Sequence, residues 1–206
     1  DGVPGNPDDP GATSIRLDGE DGLFLIAEAA FERPDPRLLR IGLGAWHYPT
    51  DLEDVRRRTA GGDPVPRAGS SGVYGFIEAD LYGETDHLGQ GLRGYLRVGR
   101  ADEDTNRFQA YYGAGVVYTG LLPGRDTDVA GLAVSSAVNG DAWRRAQHRA
   151  GNGVDAAETV VELTYRAQLL PAVSVQPVLQ YVINPDTDPG LADSVALGLR
   201  IGVSLL

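Results

Sequence analysis

A chain of 206 residues with 18 Lys and Arg against 29 Asp and Glu has a formal charge of −11. That balance argues against nucleic acid as a partner, since phosphate contacts need net positive surface. The absence of cysteine excludes disulfide staples, cysteine–zinc sites and thiol catalysis, and no apolar run approaches the roughly 18 residues of a transmembrane helix.

Residues 1–21, DGVPGNPDDPGATSIRLDGED, are rich in Gly, Pro and Asp and lack apolar periodicity. They read as a loop-like segment, with 22–206 as one structural unit. No charged-then-apolar leader opens the chain and it contains no Met. The expectation is a processed product or a piece of a longer chain. Nine strands are predicted, over Leu23–Phe31, Leu39–Tyr48, Gly72–Tyr82, Leu92–Ala101, Arg107–Gly120, Asp128–Asn139, Glu158–Leu169, Val173–Asn184 and Asp193–Leu205. Between the sixth and seventh, Trp143–Arg149 reads as an Arg-rich patch inside a loop, with helix as the weaker competitor.

The fifth strand sets the pattern. Phe108, Ala110, Tyr112, Ala114, Val116 and Tyr118 share one face; Arg107, Gln109, Tyr111, Gly113, Gly115, Val117 and Thr119 share the other. Globular strands usually run about 5–6 residues, whereas a tilted strand crossing a bilayer needs about 9–11 with its apolar face outward. The last three strands repeat the alternation. Val161, Leu163, Tyr165 and Ala167 oppose Glu158, Glu162, Arg166 and Gln168; Val173, Val175, Leu179 and Tyr181 oppose Gln176 and Gln180; Val195 to Leu205 opposes Gly198, Arg200 and Gly202. Pro177 is awkward there because it donates no ladder hydrogen bond.

Connection lengths give a second test. Counted back from the C-terminus, Leu170–Ala172, Leu121–Thr127, Gly83–Gly91 and Glu32–Leu38 fall at one end; Pro185–Ala192, Gly140–Ala157, Asp102–Asn106 and Pro49–Ser71 fall at the other. The two longest share an end, as the extracellular loops of a barrel do. The competing reading is a soluble antiparallel sandwich with its apolar face inward, serving carbohydrate binding or adhesion. Charges along the polar face, and Tyr48, Tyr82, Tyr118 and Tyr181 near strand ends as a girdle, favour the barrel.

Two long runs, ADEDTNRFQAYYGAGVVYTGLLPGRDTDVAGLAV and AAETVVELTYRAQLLPAVSVQPVLQYVINPDTDPGLADSVALGLRIGV, resemble the C-terminal part of the carbohydrate-selective porins, the OprB-like family. SSGVYGFIEADLY and LRIGLGAWHY are similar to strands of that family, and the resemblance accounts for Pro177. It implies an all-β antiparallel transmembrane barrel of 16 strands in the bacterial outer membrane, passing monosaccharides by diffusion. About nine strands of that barrel lie here. The partners implied are permeating monosaccharides, outer-membrane lipid and lipopolysaccharide. The chain departs from the family's usual terminal Phe by ending Leu205–Leu206.

A sugar-selective wall needs closely set donors and acceptors together with aromatic faces for C–H surfaces. The candidates facing such a lumen are Glu78, Asp80, Arg93, Arg97, Gln109, Tyr111, Glu158, Glu162, Arg166, Gln168, Gln176, Gln180 and Arg200. The plainer role for each is a cross-strand brace worth about 0.2–1 kcal/mol. A catalytic role finds little support, so an enzyme, with a small outer-membrane hydrolase as its best form, ranks last. His47, His87 and His148 form no zinc pattern, and no metal or cofactor site is expected. Glu158 and Glu162 on one strand face stand roughly 13 Å apart, beyond the ~5–9.5 Å of a glycosidase pair. The Trp143, Arg144, Arg145 patch reads as a solvated loop face, with a ligand or lipopolysaccharide contact as the sharper alternative.

Overall fold

The computed structural model describes residues 23–34, 37–84 and 89–204. The expectations for residues 1–21, His87, Leu205 and Leu206 lie outside them. Nine strands form a single antiparallel meander: β1 (Leu25–Arg33), β2 (Leu39–Arg58), β3 (Pro64–Gly83), β4 (Gly91–Ala101), β5 (Phe108–Thr119), β6 (Val129–Asn139), β7 (Ala157–Leu170), β8 (Val173–Ile183) and β9 (Ser194–Val203). Among the described residues each pairs only with its chain neighbours, so β1 and β9 are edges there and the sheet is open, as expected for part of a larger barrel.

The predicted alternation survives in the register except at Phe108, which a β-bulge before Ala110 pairs with Asn139, in phase with the polar face. Leu96, Ala114, Val134, Val161, Tyr181 and Val195 form one cross-strand row, and Val116, Leu132, Leu163, Leu179 and Leu197 form the next. These apolar side chains are not buried. Leu163 is 54% exposed, Leu199 67% and Leu197 82%, and Ala142 is the one buried hydrophobic residue among those described. No second layer covers this face among the described residues, which removes the sandwich core that the competing reading required. No helix among them is long and apolar enough to cross a membrane.

Three of the four tyrosines expected near strand ends, Tyr82, Tyr118 and Tyr181, lie on the apolar face. Tyr82, Leu92, Tyr118, Ala130 and Tyr165 form a single row at the short-turn end of the apolar face. Tyr181 lies on the same face near the other end. Tyr48 instead pairs with Ser70 in the row beyond Trp46 and Gly72, so it belongs to the polar face. Pro177 disrupts the β7–β8 ladder locally. Pairing stops at Thr164 and Val178 and resumes at Ala167 and Val175, while the Thr164 hydroxyl donates to the Pro177 carbonyl at 3.1 Å.

Two elements at the long-loop end differ from expectation. The segment read as a Pro49–Ser71 loop is a hairpin extension of β2 and β3, each 20 residues long. Its turn closes through the Thr59 N–H to the Asp63 carbonyl at 2.8 Å, with Gly62 at φ 93°. The charged run DLEDVRRR hid this strand because its buried position is a carboxylate, Asp54, held by Arg67 and backbone N–H donors, so no apolar alternation marks it. The Arg-rich patch is a true helix, α1 (Asp141–Arg149), with Asp141 in its first turn, His148 and Arg149 in its last, and Gly151 at φ 83° beyond it. These are the charges and the glycine that helix ends favour.

Candidate functional site

All the sequence-selected polar residues occupy one face of the sheet. The row through Glu78 continues to Tyr95, Gly115, Ala133, Glu162, Gln180 and Ala196. Asp80 pairs with Arg93, Arg97 with Gly113, Tyr111 with Ala137 and thence Glu158, Arg166 with Val129, and Gln176 with Arg200. Gln168 pairs with Ser174 on this face, and Gln109 precedes Tyr111 by two at a β-bulge.

The structure gathers only some of them. Glu78, Arg97, Gln109 and Tyr111 line one cleft of about 620 Å³. Asp80 and Glu78 both engage Arg93, at 2.8 and 3.8 Å, and Arg97 lies over the Tyr95 ring at 5.6 Å. Glu162, Gln168, Gln176, Gln180, Arg166 and Arg200 lie on β7–β9, apart from that cleft. There the Gln180 amide donates to Glu162 at 2.6 Å and the Gln176 amide to the Thr164 hydroxyl at 2.8 Å. The Gln168 amide turns toward the β7–β8 turn and donates to the Leu170 carbonyl at 2.7 Å, and Glu158 accepts the Asp186 N–H at 2.6 Å. The last two brace loops.

Sequence reasoning missed much of the cleft wall: Glu28, Arg40, Trp46, Tyr74, Phe76 and Tyr95. The missed rings obey a rule. Trp46 faces Gly72, Phe76 faces Gly42, Tyr74 faces Gly44 and Tyr95 faces Gly115 as direct cross-strand partners. A Cβ built on those glycines would stand 2.4, 2.3, 2.2 and 2.6 Å from the respective rings. Each aromatic therefore lies flat over the bare backbone opposite. The cleft presents ring faces beside Arg40, which stacks on Phe76 at 5.1 Å, and beside the Tyr74 hydroxyl, which donates to Glu28 at 2.7 Å. The alternation of glycine with aromatic on facing strands was the available signal.

At the long-loop end, Arg107 ties three elements together. Its guanidinium sits between the Phe108 and Trp143 rings, at 4.9 and 4.6 Å, and donates to Asn139 Oδ1, the Asp186 carbonyl and Thr187 Oγ1. Buried Asn139 donates to the Asp155 carbonyl at 3.0 Å and to Thr187 Oγ1 at 2.7 Å. Beside it the β2–β3 extension is anchored by Asp54, which is 1% exposed. Burial pushes the Asp54 carboxyl up, but the Arg57 and Arg56 N–H donors and the Arg67 charge outweigh it and hold it below the usual range. Arg67 also reaches Asp104 at 2.8 Å, and the Val55 N–H donates to the Asp104 carbonyl at 2.8 Å.

His47 Nδ1 lies 2.9 Å from Ser71 Oγ on the apolar face, with no carboxylate hydrogen-bonded to it among the described residues. A Ser–His pair without an acid does not assemble the hydrolase cluster. No group of His, Asp or Glu among the described residues has the arrangement of a metal site.

Comparison with known proteins agrees with this geometry. No curated protein matches the chain. A solved structure of OprB from Pseudomonas putida at high pH matches with a TM-score of 0.80 and 20% identity, over 88% of this chain and 48% of that one. The chain thus spans about half the length of that protein, and at this identity the likeness establishes the fold. The family model described as carbohydrate-selective porin, OprB family, matches residues 40–205. With most of its length so matched, the chain belongs to the OprB family of carbohydrate-selective porins.

Proposed function

We propose that residues 22–206 form the C-terminal part of an outer-membrane barrel through which monosaccharides diffuse passively, the polar face lining the water path and the apolar face meeting lipid. The observation that carries this reading is the cleft: flattened rings, paired charges and amides on one face, backed by an uncovered apolar face. A sugar is uncharged, so a wall of one sign offers it little. Arginines interleaved with carboxylates supply donors and acceptors without a large net field, and ring faces match the C–H surfaces of a pyranose. The long-loop end faces the cell exterior and the short-turn end the periplasm. Nothing in this route breaks a covalent bond.

Liposome swelling tests the proposal. The complete barrel that carries these strands, reconstituted into vesicles, should admit neutral monosaccharides faster than disaccharides, and Arg97→Ala should change that discrimination while the barrel still inserts. Vesicles no more permeable to monosaccharides than protein-free ones would end the proposal.

A further inference from the structure

On the apolar face, between β1 and β4, runs a groove of about 730 Å³ whose lining is almost wholly apolar. Ala27, Ala45 and Gly75 keep it open, while Leu43, Val73 and Val98 stand beside it, 69%, 58% and 49% exposed. Arg100 lines the same groove, at the end toward the long loops.

Arg100 breaks the pattern of the sheet. Its partners are Val73 and Ala110, both on the apolar face, whereas Arg93, Arg97, Arg166 and Arg200 all share the polar face. It is exposed and makes no ion pair among the described residues. His47 lies on this face two strands away, roughly 10 Å across and 7 Å along the sheet. An arginine in hydrocarbon is costly at the midplane but close to tolerated near the interface. One residue from the end of β4 it lies near the interface, where its stem can lie on the apolar surface with the charge in the headgroup layer.

We infer that this groove binds an acylated, phosphate-bearing lipid of the outer leaflet, with an acyl chain against Ala27 and Ala45 and the phosphate on Arg100. His47 stands as a second donor. The inference rests on the reading of the apolar face as lipid-facing. Charge complementarity selects the occupant: a cation with no ion-pair partner among the described residues, at the rim of an apolar groove, matches an anionic headgroup above an acyl chain.

The test uses the complete barrel that carries these strands, purified in detergent, with lipid A and chemically dephosphorylated lipid A as probes, read by native mass spectrometry. Wild type should retain lipid A about fivefold better than the dephosphorylated form. Arg100→Gln should abolish that preference, Arg100→Lys should keep most of it, and Ala45→Leu should weaken both lipids by filling the groove. An unchanged preference in Arg100→Gln would overturn the inference. So would full displacement of lipid by inorganic phosphate, which would leave only an anion site. A detergent-stable dimer broken by Ala45→Leu, with lipid retention unaffected, would instead assign the groove to a second copy. Protein that stays soluble without detergent would remove the membrane reading itself, whereas detergent-dependent protein with equal lipid retention defeats this inference alone.

Discussion

The Tyr74 ring lies flat on Gly44, its cross-strand partner, so that a Cβ added at Gly44 would stand 2.2 Å from the ring. The same ring is held from its far end by the hydrogen bond to Glu28, 2.7 Å long. Gly44→Ala should lift the ring off the wall and break that bond, at a strain cost of about 1 kcal/mol. The expected readout is slower monosaccharide flux with assembly intact. Gly83→Ala, where an added Cβ meets nothing within 4 Å, is the control and should leave flux unchanged.

Arg166 and Leu163 occupy opposite faces of β7. In the full-length porin, Arg166→Ala should lower sugar flux or alter discrimination and leave the barrel folded. Leu163→Arg should impair insertion, since an arginine on the lipid face costs about 2–4 kcal/mol near the midplane. Heat-modifiability on gels reads the second effect. The reverse pattern would exchange the two faces.

How much of this was legible depends on which physics leaves a periodic trace. Strand β9 was readable because Val195, Leu197, Leu199 and Ile201 alternate with small and polar residues. The face of each selected residue followed from the same period of two. The β2–β3 extension was hidden because the buried position of Asp51–Arg58 is a carboxylate, Asp54, and not an apolar side chain. Tyr48 was misplaced because an aromatic near a strand end suggests a girdle, while parity with Trp46 places it with the polar face. The cleft aromatics Tyr74, Phe76 and Tyr95 were passed over for a related reason. On a single strand an aromatic reads as apolar, and only the register reveals the glycine under it. The Arg107 knot depends on contacts across about 80 residues of sequence, between Arg107 and Thr187, which no local pattern encodes.

Arg107→Ala should loosen the long-loop end. Losing the stack between Phe108 and Trp143 and the bonds to Asp186 and Thr187 should speed hydrogen exchange in α1 and in residues 184–193. Trypsin should cut sooner at Arg144, Arg145 or Arg149. Arg107→Lys should rescue little, because an ammonium lacks the planar fork that fits between two rings.

Asp128, 2% exposed in the β5–β6 turn, accepts from the Tyr165 hydroxyl, the Gln168 N–H and Arg125. Burial raises its carboxyl, but these donors outweigh it and hold the pKa below the usual range. Its stabilisation is therefore fully present above the unfolded value, about 3.9, and is lost as pH falls through the lower folded value. Asp128→Asn should cost about 1.5–3 kcal/mol near neutral pH and flatten the acid limb of stability. Denaturant unfolding across that range checks both.

Cysteine labelling tests the central claim most directly, because the chain has no native cysteine. Single cysteines at Glu162 and Leu163 are neighbours in sequence and opposite in face. In the complete barrel reconstituted into vesicles, the cysteine at Glu162 should react with a water-soluble maleimide and its fluorophore should ignore brominated lipid. The cysteine at Leu163 should resist the maleimide, and a fluorophore placed there before reconstitution should be quenched by brominated lipid. Equal reactivity at both positions, or quenching at Glu162 in place of Leu163, would contradict a wall with water on the charged side and lipid on the other.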